Sequence, residues 1–345
     1  MYNLNIISKT KTWYTISGAL IILSIASLLI FGLNLGIDFT GGSMLDIEFN
    51  EISRPTINEM ELALTDFNLS DLKVQPTGEK GFIIRMQDID EETHQAILFT
   101  LNEKFTPLEQ KSNLEKVEGS NKIPEINLDA AQVEAGTVEL DMNNLETKKP
   151  LKIVEEKRFN SIGPVIGEEL KDKSIWAMLI VLIAIVLYIA YVFRGVSKPV
   201  ESWKYGISAI AALAHDVIII MGIFSVLGHF LGAEIDAFFI SALLTILGFS
   251  VNDTIVTFDR VRENLHKKQH LTFKELINTS INETITRSIN TSLTTFMVLL
   301  SVFIFGGETI RFFVLALILG IIIGTYSSIF IASPLLLFWY KRKYN

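Results

Sequence analysis

Six runs of predominantly apolar residues punctuate the chain, at roughly 13–33, 174–194, 206–228, 237–258, 285–305 and 312–338. Each is about as long as the ~20 residues a helix needs to cross the hydrocarbon of a bilayer. The last is long for one crossing, so it is expected to tilt or to project at one end. Between the first and second runs, residues 34–173 turn polar and the periodicity changes. Residues 43–50 place Met44, Leu45, Ile47 and Phe49 in a strand. Residues 55–68 start with Pro55 and carry Ile57, Met60, Leu64 and Phe67 at helical spacing. Residues 72–74 and 82–86 read as two short strands joined by a turn at Pro76, Thr77 and Gly78. Residues 91–105 form a second helix with Ile97, Leu98, Leu101 and Phe105 on one face, and 151–162 a final strand. The order βαββαβ predicts a small α+β ferredoxin-like sheet with two helices on one face. Residues 107–150 are rich in Glu, Asn and Lys without a sustained period, which is too long for an ordinary connection. They form a flexible insertion or an accessory hairpin. The expected fold is thus an α-helical integral membrane protein, six transmembrane helices with one extracytoplasmic domain between helices 1 and 2.

Composition supports this division. Of 345 residues, 49% are hydrophobic and the mean hydropathy is +0.39, too apolar for an ordinary soluble protein. The net charge of −8 is unevenly spread. Residues 34–173 hold 28 Asp and Glu against 15 Lys and Arg, a net of −13, and the remainder holds 10 against 15, a net of +5. An acidic block does not suit a phosphate backbone, so no nucleic acid is expected as a partner. Basic residues gather in alternate loops: Lys9 and Lys11, then Arg194, Lys198 and Lys204, then Arg260 to Lys274, then Lys341 to Lys343. By the positive-inside rule both termini, 1–12 and 339–345, and the loop 259–284 are cytoplasmic, and the acidic domain lies outside. There is no cysteine, hence no disulfide framework and no thiol chemistry. The N-terminal run lacks an A-x-A site before Gly36 and reads as a retained signal anchor.

The stretch that changes the picture is 241–264, SALLTILGFSVNDTIVTFDRVREN, an apolar helix carrying Asn252, Asp253 and Thr254 before it breaks into a charged exit. A carboxylate inside the bilayer costs about 2.5–3.5 kcal/mol on insertion scales, so it persists where it meets a partner or water. Snorkelling suits Asp poorly, because its side chain is short and five further residues separate it from the charged exit. The fifth run opens with Arg287, Asn290 or Thr291, and Thr294 on one helical side, a stripe that faces other helices or water. Topology brings Asp253 and Arg287 to similar depth, as a charge pair that lowers the burial cost of both. Such a pair is either a proton carrier, with a pKa that moves with its surroundings, or a static bridge locking two helices. Asp216 sits nearer mid-membrane with a structural or supporting role, and its neighbour His215 reads as a packed polar residue. In the sixth run Ala316, Gly320, Gly324, Ser328 and Ala332 recur every four residues, a ladder for close helix packing, with a partner chain as one candidate neighbour.

Phosphate loops, HExxH and G-x-S-x-G are absent from the sequence, so neither nucleotide hydrolysis nor another enzymatic activity is expected, and no cofactor or metal. The segments GIDFTGG (with Asp38, Gly41 and Gly42), SIGPVIGEEL, AHDVIII, GFSVNDTIVTFDRVREN and the TRS step of the fifth run together resemble the SecF family. The likeness covers nearly the whole chain, except that 107–150 is longer than the family usually carries. The ND-x-x-V-x-x-DR-x-REN segment is its most specific part.

That resemblance implies a multi-pass subunit of the bacterial cytoplasmic membrane, related to resistance-nodulation-division exporters. It would work with SecD beside the Sec translocon and use the proton-motive force to assist export of a translocating preprotein. It also implies that Asp253 and Arg287 correspond to the family's membrane charges for proton movement. Two rivals stand beside it. A stand-alone exporter of a small molecule or lipid needs a second six-span half, which this sequence lacks, and a non-transporting scaffold would use its charges only structurally. Topology is directly testable. A single cysteine at Asn113 should react with an impermeant thiol reagent added outside and one at Gln269 should not; reversed labelling would overturn the assignment of sides.

Overall fold

The computed structural model describes residues 4–50, 54–106, 153–194 and 200–344. The insertion 107–150 lies outside the described residues, as does Lys198. The chain divides into two compact units, 1–41 with 164–345, and 42–163.

Among the described residues the smaller unit forms a four-stranded antiparallel sheet, β1 (Gly42–Phe49), β2 (Lys73–Thr77), β3 (Gly81–Met86) and β4 (Val154–Ile162), in the order β2-β3-β1-β4. Helices α3 (Ile57–Leu64) and α4 (Glu91–Phe105) complete the βαββαβ order. The expected turn is displaced: Pro76 and Thr77 belong to β2, and the chain reverses after Gly78, whose φ is +52°. Alternation along β1 sends Leu45, Ile47 and Phe49 into a core shared with Met60 and Leu64 of α3 and Ile97 and Leu101 of α4. The helix starts are set locally. Thr56 caps α3 in a reciprocal box with Glu59, and Asp90 caps α4 through the Thr93 N–H. The Thr56 backbone N–H and hydroxyl donate to Glu59, holding its carboxyl below the usual range.

Among the described residues the larger unit contains six helical stretches long and apolar enough to cross a membrane. They are α1 (Thr10–Phe31), α5 (Pro164–Val192), α6 (Ser202–Leu231), α7 (Ala237–Lys267), α8 (Phe273–Phe305) and a sixth stretch in two parts. That last stretch comprises α9 (Arg311–Ser327), a π-helical turn (Ser328–Ala332) and α10 (Ser333–Tyr344). A single helical turn, α2 (Ile37–Thr40), follows α1. Several boundaries depart from the sequence pattern: α5, expected from 174, starts at Pro164, so 164–173 belong to the larger unit and not to the outer domain. The charged exit expected to break α7 stays helical to Lys267, because Arg260–Glu263 and Glu263–Lys267 pair along the same face at i,i+3 and i,i+4. Likewise α8 starts at Phe273, where Thr272 forms a capping box with Glu275. Hydropathy finds the apolar part of a helix and overlooks these amphipathic ends.

Packing in this unit runs through small residues. The buried residues of α1 are Ser17, Ser24 and Ser27, while Leu23, Leu29 and Ile30 face outward. A Cβ on Gly222 of α6 would lie 2.3 Å from Ser24 Cβ, so the two helices run nearly backbone to backbone. The ladder of the sixth stretch behaves similarly but lies against this chain's own α7: a Cβ on Gly320 would lie 2.2 Å from Ile246 Cγ1, and one on Gly324 2.9 Å from Ser250 Cβ. A partner chain is therefore not the neighbour at those two glycines. Gly320→Ala should lower the thermal stability of the purified protein by about 1–3 kcal/mol, because Ile246 is branched and α7 must shift. Gly18→Ala, with nothing within 4 Å of the added atom, should be neutral or slightly stabilising. Equal losses for the two would refute the packing assignment.

Candidate functional site

Close approach of α9 to α7 delivers hydroxyls to two buried carboxylates. Asp216 of α6 is fully buried, and its Oδ2 accepts from Ser250 Oγ of α7 at 2.7 Å and from Ser327 Oγ of α9 at 2.8 Å. Its Oδ1 lies 2.9 Å from His215 Nδ1. Asp253, one turn beyond Ser250 on α7, is 8% exposed. Its Oδ1 accepts from Ser288 Oγ of α8, and its Oδ2 accepts from Ser328 Oγ at 2.5 Å. Ser327 and Ser328 are consecutive, so each carboxylate takes a hydroxyl from the junction where α9 widens into the π-helical turn. Such turns break the regular ladder and recur at functional sites; here Ser333 Oγ donates to the Ser328 carbonyl at 3.0 Å.

Serine donors offset part of the cost of burying a carboxylate, and they do so without adding charge. A hydroxyl can also turn round and accept, so the same shell serves a carboxylate or a protonated carboxyl. Among the described residues no group of three or more His, Cys, Asp or Glu could hold a metal ion.

The sequence-derived site residues separate into two sets. Asp253, Asp216, Ser328 and the buried Thr254 gather in the interior. Asn252, Arg287, Asn290, Thr291 and Thr294 lie exposed on the surface of the chain. Thr291 Oγ1 donates to the Arg287 carbonyl at 2.9 Å, and Thr294 Oγ1 to the Thr291 carbonyl at 2.9 Å, each turning back onto α8. The direct pair expected between Asp253 and Arg287 is not formed. Among the described residues no carboxylate lies within 4 Å of Arg287, which acts on Asp253 only at longer range. The reason is angular: Ser288, the next residue of α8, points inward and takes the place expected for the guanidinium. Sequence reasoning missed Ser250, Ser288 and Ser327. Their signal was positional, at i−3 from Asp253, next to Arg287, and next to a rung of the ladder.

Beyond Asp253, the charged exit braces α7 against α8. Glu283 of α8 accepts from Arg260 Nε at 2.6 Å, Asn264 Nδ2 at 2.8 Å and Lys268 Nζ at 2.5 Å, and Asn264 also donates to Ser280 Oγ at 2.9 Å. The DR-x-REN residues thus fix the hairpin that holds Asp253 and Ser288 opposite each other.

The family model described as protein export membrane protein SecD/SecF, C-terminal, matches residues 143–342, and the SecD/SecF GG motif matches 26–51. The protein translocase subunit SecF of Thermobaculum terrenum is 36% identical over 99% of this chain and 95% of its own length. The chain belongs to the SecF family. Another SecF, from Anaerolinea thermophila, is 35% identical over 97% of this chain and 94% of its own. Among solved structures, SecDF of Thermus thermophilus, described as a translocon-associated membrane protein, is similar with a TM-score of 0.71 and 29% identity. That likeness covers 98% of this chain and 39% of the SecDF chain. The six membrane-length helices and small antiparallel sheet of this chain's described residues agree with the expected fold class.

Because Ser250 and Ser327 donate to the same oxygen of Asp216, their removal should be non-additive. Ser250→Ala and Ser327→Ala should each cost about 1–2 kcal/mol. The double variant should cost at least about 0.5 kcal/mol more than the sum, since it strips Oδ2 of both donors. Strict additivity in thermal unfolding would show that the two hydroxyls do not share that oxygen.

Proposed function

We propose that this chain is a SecF-type protein translocase subunit that works with a SecD-type partner beside the Sec translocon. In this reading it uses the proton-motive force to assist export of a translocating preprotein. The observation that carries the mechanism is the neutral shell of Asp253. A carboxylate clamped by a guanidinium would resist protonation, whereas one held by Ser288 and Ser328 can lose and regain its charge while both hydroxyls stay bonded. Arg287, one residue along α8, supplies a positive charge at longer range without locking the site. Each proton crossing 100 mV releases about 2.3 kcal/mol, enough to bias a conformational step.

The setting is a lipid bilayer, the bacterial cytoplasmic membrane, with both termini on the cytoplasmic side. The exposed polar stripe of Arg287, Asn290, Thr291 and Thr294 supports a partner, since a membrane helix with that face outward meets lipid unfavourably. The 39% coverage of the SecDF chain supports the same reading, the remainder corresponding to the partner's share.

The test is Asp253→Asn, which keeps the shape and the hydrogen-bonding capacity but cannot titrate. It should assemble at native levels while gradient-stimulated export in membrane vesicles falls to the unstimulated rate. Full stimulation by this variant would end the proton-carrier role of Asp253.

A further inference from the structure

The GIDFTGG segment has no part in the carboxylate cluster, yet its geometry is specific. After α1 the chain makes a parallel bridge, Leu35 with Ile235, on the segment that leads into α7. The Ile235 N–H donates to the Asn34 carbonyl at 2.8 Å, and the Gly36 N–H to the Ile235 carbonyl at 2.9 Å. A Cβ on Gly36 would stand 3.3 Å from Asp236 Cβ, so the contact is tight. The turn α2 then aims Asp38 at the start of α7: the Ala237 N–H donates to Asp38 Oδ2 at 2.8 Å. A helix leaves its first four N–H groups without intrahelical acceptors, and its N-terminus attracts negative charge. Here α7 draws one acceptor from its own cap, Asp236, which takes the Phe239 N–H at 2.7 Å, and a second from the far side of the sequence. The opposite side of the turn is gripped as well, since a Cβ on Gly167 of α5 would lie 2.9 Å from the Gly41 nitrogen. Gly41 and Gly42 follow at φ +72° and +112°, in the region that favours glycine, and β1 starts at Gly42.

The turn is thus held on one side by the first residue of α7 and on the other by Gly167 of α5. From Ala237 the helix runs unbroken to Asp253, sixteen residues or about 24 Å away. We propose that this turn, with Asp38 as its positioning residue, is a link that fixes the first turn of α7, the helix bearing Asp253, to the segment that follows α1. The inference rests on the proton-coupled export reading for its output, and on the α7 contacts alone for its mechanics.

The absence of cysteine gives a clean background for the test, in the full chain with its partner in native membranes. Asp38→Ala should assemble normally and lose gradient-stimulated export about fivefold, the weight of one helix cap. Asp38→Asn keeps a carbonyl oxygen for the Ala237 N–H and should retain most of the stimulation. A disulfide between cysteines at Leu35 and Ile235, which the bridge places side by side, should restore stimulation to Asp38→Ala when oxidised and not when reduced. In an otherwise native chain the same disulfide should be harmless. Three results overturn the link: full stimulation by Asp38→Ala, failure of Asp38→Asn to the same extent, or a block by the disulfide in the native chain that a reductant reverses. Should Asp38→Ala not assemble, the disulfide in the native chain decides alone. Measuring Asp253→Asn alongside separates the two readings: if it retains stimulation while Asp38→Ala loses it, the proton reading falls and the link stands.

Discussion

Two carboxylates buried inside an apolar helical unit constrain everything around them. An unpaired buried charge costs several kcal/mol, more than packing alone tolerates, so each must be given donors. This chain supplies hydroxyls. Asp216 and Asp253 between them accept from Ser250, Ser288, Ser327 and Ser328, drawn from α7, α8 and the junction of α9 with its π-helical turn. A serine reaches only a short way from its backbone, so these bonds require backbones at close range. The glycines at 320 and 324 provide that approach.

The fold was legible where one period dominates. Alternation in β1, the 3.6-residue spacing of α4 and six apolar runs led to the observed elements, because burial on one face is the main force on each. Boundaries failed where local bonding outlasts hydropathy. The charged end of α7 stays helical through pairs the residue types allowed, but their partner Glu283 sits in another helix and could not be assigned from spacing.

The site was half legible. An Asp within an apolar run is an unmistakable signal, and Asp253 and Asp216 both lie inside. Its natural counter-charge by sequence, Arg287, makes no direct pair with it, because residues 287 and 288 differ by about 100° around the helix and the inward one is serine. Serine carries little weight in sequence reasoning. It is common and of intermediate hydropathy, and it acquires meaning only when a carboxylate is known to face it. The polar stripe on α8, Arg287, Asn290, Thr291 and Thr294, is exposed and turns away from the rest of the chain.

Ser328 joins the two themes. In the ladder it is one more small residue at four-residue spacing; in the structure it donates to Asp253 where the helix widens. Ser327, the last residue of α9 and about a quarter-turn away, donates to Asp216. Regular α-helix or π-helical turn, consecutive residues diverge by some 80–100°, so neighbouring serines can serve two carboxylates only if those carboxylates lie on separate helices flanking α9. Asp216 on α6 and Asp253 on α7 meet that condition. The same seam that packs the sixth stretch therefore fixes the geometry of both acids.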